Sequence, residues 1–390
     1  MPKYVTILLI VWIIFGFQIT FAHADSPADK WIEIQTEQLQ TEEMEQYWNN
    51  LMKEYGQFIT DSKSPSLIEM ITSKETNFSV TTFLQGILKF LFHEVVYNGR
   101  LLAMIILITV FSVLLETFQN AFENKTVSKV AYSVTYILLI VIAINSFSIT
   151  IDYAKSAISS MIHFMLSMLP LLLTLLASMG NLVTVSLLHP LIVLMIHTIG
   201  TLIYTVIFPL LFFSAVLSIV SSITENYKVT YLANLLKNIS IAILGIVLSV
   251  FLGVVSVQGT TSAAVDGVTI RTAKYITGNF VPVVGRMFSE ASDTVIGASL
   301  LVKNSIGIVG VIIVVFLCAF PAIKIMALAL IYNLSAALVQ PLGSSPIGDC
   351  LRTIGKNMLY VFASVAAVGF MFFLAITILI TAGNVSVMMR

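Results

Sequence analysis

Beyond Arg100 the chain alternates between long uncharged apolar runs and isolated charges, the pattern of helices that cross a bilayer one after another. Leu101 to Leu115 lies between Arg100 and Glu116. It is short for about 30 Å of hydrocarbon, so it spans if Arg100 snorkels and the helix continues through Phe118. Val130 to Ile151 is a second span. Ser156 to Thr224 holds no Asp, Glu, Lys or Arg and divides into three spans of about 20 residues, with Gly180-Asn181 and Phe208-Pro209 as break points. Ile239 to Val257, Ser305 to Ala322, a shorter Ile325 to Val339 and Met358 to Thr381 complete the series. With one or both of the short runs, 101–115 and 325–339, left out of the count, the pattern predicts an all-α polytopic membrane protein with about seven to eight transmembrane helices.

The first residues read differently. Lys3 precedes an apolar stretch from Tyr4 to Phe21, and Ala22-His23-Ala24 supplies the small-x-small signature of signal peptidase before Asp25. Residues 1–24 are therefore expected to be a signal peptide, with Ala22 and Ala24 marking cleavage. An uncleaved first transmembrane helix is the alternative, and both readings place the segment after Asp25 outside the cytosol. Residues 25–98 carry 12 of the 20 acidic residues, which suits an extracytoplasmic, helical region. Within it Met44, Trp48, Leu51, Tyr55 and Phe58 recur at three and four, one stripe of an amphipathic helix. An exposed aromatic stripe of this kind would dock soluble parts of a larger assembly. Ser66-Leu67-Ile68-Glu69 reads as a capping box. Phe83, Leu84, Ile87, Leu88, Leu91 and Val95 form another apolar face, either packed in a core or lying in the membrane interface.

Residues 99–257 form a first membrane part and 305–390 a second. Between them, 258–304 is too polar to cross lipid and too apolar for an ordinary loop. Gly267, Gly278, Gly285 and Gly297, with Pro282, are expected to break it into short amphipathic pieces. Such a segment is either a surface loop or a re-entrant, cavity-lining gate. In the second case Arg271, Lys274, Gly278, Pro282, Gly285 and Arg286 are the candidate site residues. The Lys/Arg bias leaves its side of the membrane open, because the answer depends on whether the long uncharged block holds two full spans or three. Lys324, between two apolar runs, is a candidate intramembrane charge that either snorkels or lines a polar path. Asp349, Arg352 and Lys356 come after a turn-rich run and read as a solvated connection. Gly245, Ser249 and Gly253 make two small-xxx-small pairs, a close helix contact within the subunit or with a neighbour.

Composition narrows the function. Apolar residues make up 58% and charged residues 10%, against about 45–50% and about 25% in soluble domains. Mean hydropathy is +0.97. Net charge is zero, with 20 basic and 20 acidic residues, so nothing favours nucleic acid. Two cysteines, Cys318 and Cys350, exclude a multi-bridge disulfide framework or a Cys-rich metal site. No phosphate loop is present, so ATP-driven work would belong to a partner, and His93-Glu94 lacks the second His of a zinc-protease helix. Gly297-Ala298-Ser299 with His163, His189 or His197 is a weak echo of an intramembrane serine protease, since nothing fixes a Ser–His pair. The histidines read as helix-packing residues. No catalytic, cofactor or metal residues are assigned, and the chain is not expected to be an enzyme.

The run Arg271-Thr272-Ala273-Lys274-Tyr275-Ile276-Thr277-Gly278-Asn279-Phe280-Val281-Pro282-Val283-Val284-Gly285-Arg286-Met287-Phe288, together with the leader, acidic region and spans, resembles the stage III sporulation protein AE family over essentially the whole chain. The resemblance implies a multi-pass protein of the mother-cell membrane surrounding the forespore. It also implies a place in a secretion-like channel complex. The implied partners are the complex's other membrane and ring-forming subunits, a forespore protein met across the intermembrane space, and membrane lipid. Such a complex supports forespore development and late forespore transcription. Two roles fit: a permease-like subunit forming or supporting a transport path, or a non-conducting scaffold. Spans poor in paired acidic residues argue against an ion-coupled pump.

Overall fold

The computed structural model describes residues 42–59, 80–121, 125–223, 229–280, 284–342 and 346–389. The leader with Ala22 and Ala24, the capping box at 66–69 and Pro282 lie outside the described residues. What is described is helical almost throughout, as expected of apolar chain whose backbone groups must be satisfied within the segment. The helices are α1 (Glu42–Ile59), α2 (Val80–Tyr97), α3 (Gly99–Ala121), α4 (Lys125–Ser178), α5 (Leu182–Leu202), α6 (Phe208–Ile223), α7 (Thr230–Phe280), α8 (Val284–Val339) and α9 (Pro346–Met388). A π-helical turn, Ile203–Ile207, joins α5 to α6.

Helices α8 and α9 form a central hairpin, with α7 and α4 packed on both members. The α5–α6 rod lies on α7, α3 on α4, and α2 on α8. The core runs along α9, where Ile354, Met358, Val361, Val365, Val368, Met371, Phe372, Ala375 and Ile376 are all fully buried. Their spacing of three and four is the apolar stripe of a helix surrounded by others.

Five helical stretches are long and apolar enough to cross a membrane: Ser133–Ser178, Leu182–Ser222, Thr230–Ile276, Ser292–Val339 and Pro346–Met388. The pair Thr81–Tyr97 and Gly99–Leu115, bent by 50°, brings the number to six if it is one broken span. This is fewer than the pattern of charges predicted, because three expected breaks do not occur. Asp152 and Lys155 sit on the exposed face of a continuous α4. Phe208-Pro209 continues the α5–α6 rod, because the π turn just before it makes room for a proline ring and its missing N–H. Lys324 lies inside α8 and does not end it. Gly180-Asn181 is a true break: Gly180 has φ of 82°, a left-handed conformation that other residues rarely adopt.

Segment 258–304 is also more regular than expected. Residues 258–280 complete α7 and 284–304 open α8, and each of these described stretches is continuous helix. Gly259 and Gly267 act by size, whereas a side chain at Gly297 would meet open space. On α7 the stripe Gly259, Ser262, Ala263, Asp266 and Gly267 is buried, and a Cβ at Gly267 would press on the Ser386 carbonyl and Met389 of α9. Asp349, Arg352 and Lys356 prove to be the exposed face of α9's first turns. On α2, Phe83, Ile87 and Leu91 pack against the core while Leu84, Leu88, Phe92 and Val96 stay exposed. A helix apolar on both faces fits lipid on its outer side.

Candidate functional site

Helix α4 changes character halfway along its outer face. Its first half exposes Val130, Val134, Ile137, Leu138 and Val141, a lipid-compatible surface. From Asp152 onward the outward positions turn polar. Tyr153, Ser156, Ser160, His163, Ser167, Pro170 and Thr174 recur at alternating steps of three and four and are exposed or half-buried. Ala154, Ala157, Met161, Phe164, Met168 and Leu171, on the opposite side, are buried. One helix face therefore carries a polar stripe that rises about 31 Å at 1.5 Å per residue, the thickness of about 30 Å of hydrocarbon.

The stripe is the floor of a furrow, and α1 is its side wall. A cleft of about 1190 Å³ is lined by Glu42, Glu43, Gln46 and Asn50 of α1 and by His163, Ser167, Pro170 and Thr174 of α4. A smaller one of about 370 Å³ continues toward Tyr153, Ser156, Ser160, Pro321 and Lys324, and the two share Tyr47 and Asn50. Side-chain hydrogen bonds set the polarity of the floor. Ser167 Oγ donates to the His163 carbonyl (3.0 Å) and Thr174 Oγ1 to the Pro170 carbonyl (2.8 Å). His163 Nδ1 lies 2.8 Å from the Ser159 carbonyl. A carbonyl only accepts, so Nδ1 carries a proton in this contact.

The amphipathic stripe of α1 is where the sequence placed it, but it faces inward. Trp48 and Tyr55 are buried. Tyr55 stacks on Phe320 of α8 with centroids 4.0 Å apart and planes parallel within 1°, and it meets Phe90 of α2 edge-on at 5.5 Å. Trp48 stacks on Phe316 at 6.3 Å. The expected docking of this stripe to soluble partners is therefore corrected: the aromatics anchor α1 to its own membrane bundle. At the crossing with α2, Gly86 lets the Phe58 carbonyl approach too closely for any side chain. Burial, and after it the neighbouring Glu43, pushes the Tyr47 phenol upward, so it stays a neutral donor on the furrow wall. Lys324 pairs with Glu54 of α1 at 3.2 Å and lies over the rings of Tyr55 and Tyr153 at 5.5 and 6.0 Å. This charge borders the smaller cleft and closes one end of the α1 seat.

One turn beyond Thr174 the furrow meets a buried polar layer that sequence reasoning missed. Asp266 of α7 is 2% exposed, and its two carboxylate oxygens accept from the backbone N–H groups of Val183 (3.0 Å) and Thr184 (2.8 Å). These are orphan donors of the first turn of α5, whose N-cap Asn181 makes no side-chain cap bond. Asn181 Oδ1 instead accepts from Ser386 of α9. Lys303 of α8 is fully buried and donates to the Ile380 carbonyl (2.8 Å) and Asn384 Oδ1 (3.0 Å) in the last turns of α9. Ser178 Oγ donates to Ser299 Oγ at 3.2 Å. The anion thus meets the positive end of one helix dipole and the cation the negative end of another. The available signal was the small-residue stripe from Gly259 to Gly267 with Asp266 on it, which marks a buried helix face.

Of the predicted gate residues, the two described side chains, Arg271 and Lys274, do not line this furrow. Arg271 is exposed on α7, and Lys274 pairs with Asp293 across the α7–α8 junction. Gly278 lies near the end of α7 and Gly285 and Arg286 near the start of α8. Their side-chain surroundings, like Pro282, fall outside the described residues. His197, like His163, bonds its own helix, Nδ1 to the Val193 carbonyl at 2.9 Å. Ser299 is buried in the polar layer. Gly245 and Gly253 face open space among the described residues, so they mark no contact there. Cys318 and Cys350 are free thiols.

Comparison with known proteins sets these features in a family. The model of the stage III sporulation protein AE family matches residues 62–383. A Bacillus subtilis (strain 168) protein named stage III sporulation protein AE is 51% identical over 368 residues, 94% of this chain and 92% of that relative. No solved structure matches. With the helical bundle and the match over most of its length, the chain belongs to the stage III sporulation protein AE family.

Proposed function

We propose that this protein is the multi-pass subunit of a secretion-like channel complex in the mother-cell membrane around the forespore. In this reading the α4 furrow forms one wall of a transport path needed for forespore development and late forespore transcription. Its partners are the other membrane and ring-forming subunits of the complex and, through them, a forespore protein. The carrying observation is the polar stripe from Tyr153 to Thr174, about as long as hydrocarbon is thick. It lies on a helix whose first half exposes Val130, Val134, Ile137, Leu138 and Val141. A helix anchoring a scaffold needs no such stripe, because polar groups in lipid are costly unless a cavity or protein satisfies them.

The test replaces Ser160, His163, Ser167 and Thr174 together with Leu. These positions are exposed or half-buried, so the bundle should still assemble and accumulate in the membrane. A conduit predicts arrested forespore development with normal complex recovery. Normal sporulation with the filled furrow would leave the scaffold as the role of this subunit.

A further inference from the structure

The chemistry of the furrow wall points to the class of solute it accommodates, an inference that rests on the transport reading above. Every hydroxyl and imidazole of the larger cleft whose bonding is fixed spends its proton on its own helix. Ser167 and Thr174 donate to backbone carbonyls, which leaves only lone pairs for the cleft. His163 donates its Nδ1–H to the Ser159 carbonyl. Pro170, which also lines the cleft, has no N–H for the Leu166 carbonyl one turn back, so that oxygen remains an acceptor too. Glu42 and Glu43 add two carboxylates from α1, and among the described residues no Lys or Arg lines this cleft. The donors are Tyr47 and the amides of Gln46 and Asn50, all neutral. In the adjoining smaller cleft Lys324 is matched by Glu54.

We infer that the furrow favours positively charged solutes, ammonium-bearing or hydrated metal cations, over anions. A cleft lined by one sign of charge raises the local concentration of the opposite sign, and walls with two carboxylates and only neutral donors replace the hydration of a cation better than that of an anion. The furrow is thus a selective surface as well as a wet one.

Paired thiol reagents test this on the full-length membrane protein. With Cys318 and Cys350 replaced by Ser, a single Ser167→Cys reporter is reacted with trimethylammonium-ethyl and sulfonatoethyl methanethiosulfonate. The cation-to-anion rate ratio is divided by that of a free thiol in solution. The expected ratio is several-fold above one, falls toward one in Glu42→Gln/Glu43→Gln, and falls with added salt in the unaltered reporter as screening shortens the reach of the carboxylates. Both reagents reacting at a ratio of one or below, or a ratio insensitive to salt and to the double neutralisation, would overturn cation preference while leaving the furrow open to water. Reaction with neither reagent would show a dry furrow and would sink the transport reading together with this one.

Discussion

Removing the Asp266 carboxylate should loosen the start of α5 in a graded and local way. The carboxylate holds the N–H groups of Val183 and Thr184 at 3.0 and 2.8 Å in a site 2% exposed. Asp266→Ala orphans both donors, each at about 1–3 kcal/mol, a gross cost of roughly 2–6 kcal/mol. Relief of carboxylate desolvation offsets part of this, leaving about 3 kcal/mol. Asp266→Asn retains one acceptor and should cost about half as much. The appropriate assay is hydrogen exchange by mass spectrometry on peptides covering 179–186, because a lost cap first shows as local opening. At about 1.4 kcal/mol per tenfold, Asp266→Ala should speed exchange there by about a hundredfold and Asp266→Asn by about tenfold, with 354–376 on α9 unchanged. Equal exchange in all three proteins would refute the capping account. Equal acceleration across the whole bundle would show that Asp266 supports global stability and no particular helix start.

Tyr55→Ala should release α1, since it removes a buried ring stacked on Phe320 and edge-on to Phe90, a loss of about 3–5 kcal/mol. Limited trypsin cleavage at Lys53 should then rise sharply, and unchanged cleavage would count against the seat. Gly267→Leu should destabilise by about 1–3 kcal/mol or more, because its side chain meets the Ser386 backbone. Gly245→Leu and Gly253→Leu face open space and should stay within about 0.5 kcal/mol. Thermal unfolding in detergent separates the two groups.

The all-α membrane architecture was legible because uncharged runs in this chain are too long for anything else. The α1 stripe was legible too, through the spacing of Met44, Trp48, Leu51 and Tyr55. Its direction was not, because amphipathic periodicity names the buried face and not what buries it. The break at Gly180 could be read from a residue that tolerates positive φ. The continuity at Pro209 could not, since a π turn and a helix end look alike in sequence. Asp266 and Lys303 were hidden by segment 258–304: polar residues that satisfy helix ends inside a bundle resemble those of a loop. The α4 stripe was present in the sequence at spacings of three and four from Tyr153 to Thr174. It was masked by the leucines and methionines of the opposite face, which made the whole run read as span.

The central claim is that one face of α4 meets water across the thickness of the membrane. The most direct measurement is the reactivity of single cysteines placed at every position from Asp152 to Ser178, in native membranes, toward a small membrane-impermeant maleimide. Water along the furrow predicts fast labelling at 153, 156, 160, 163, 167 and 174, with slow labelling at the buried positions 154, 157, 161, 164, 168 and 171. Labelling that ends abruptly after the first turns, or that shows no helical period, would contradict the account, because the stripe would then face lipid or protein.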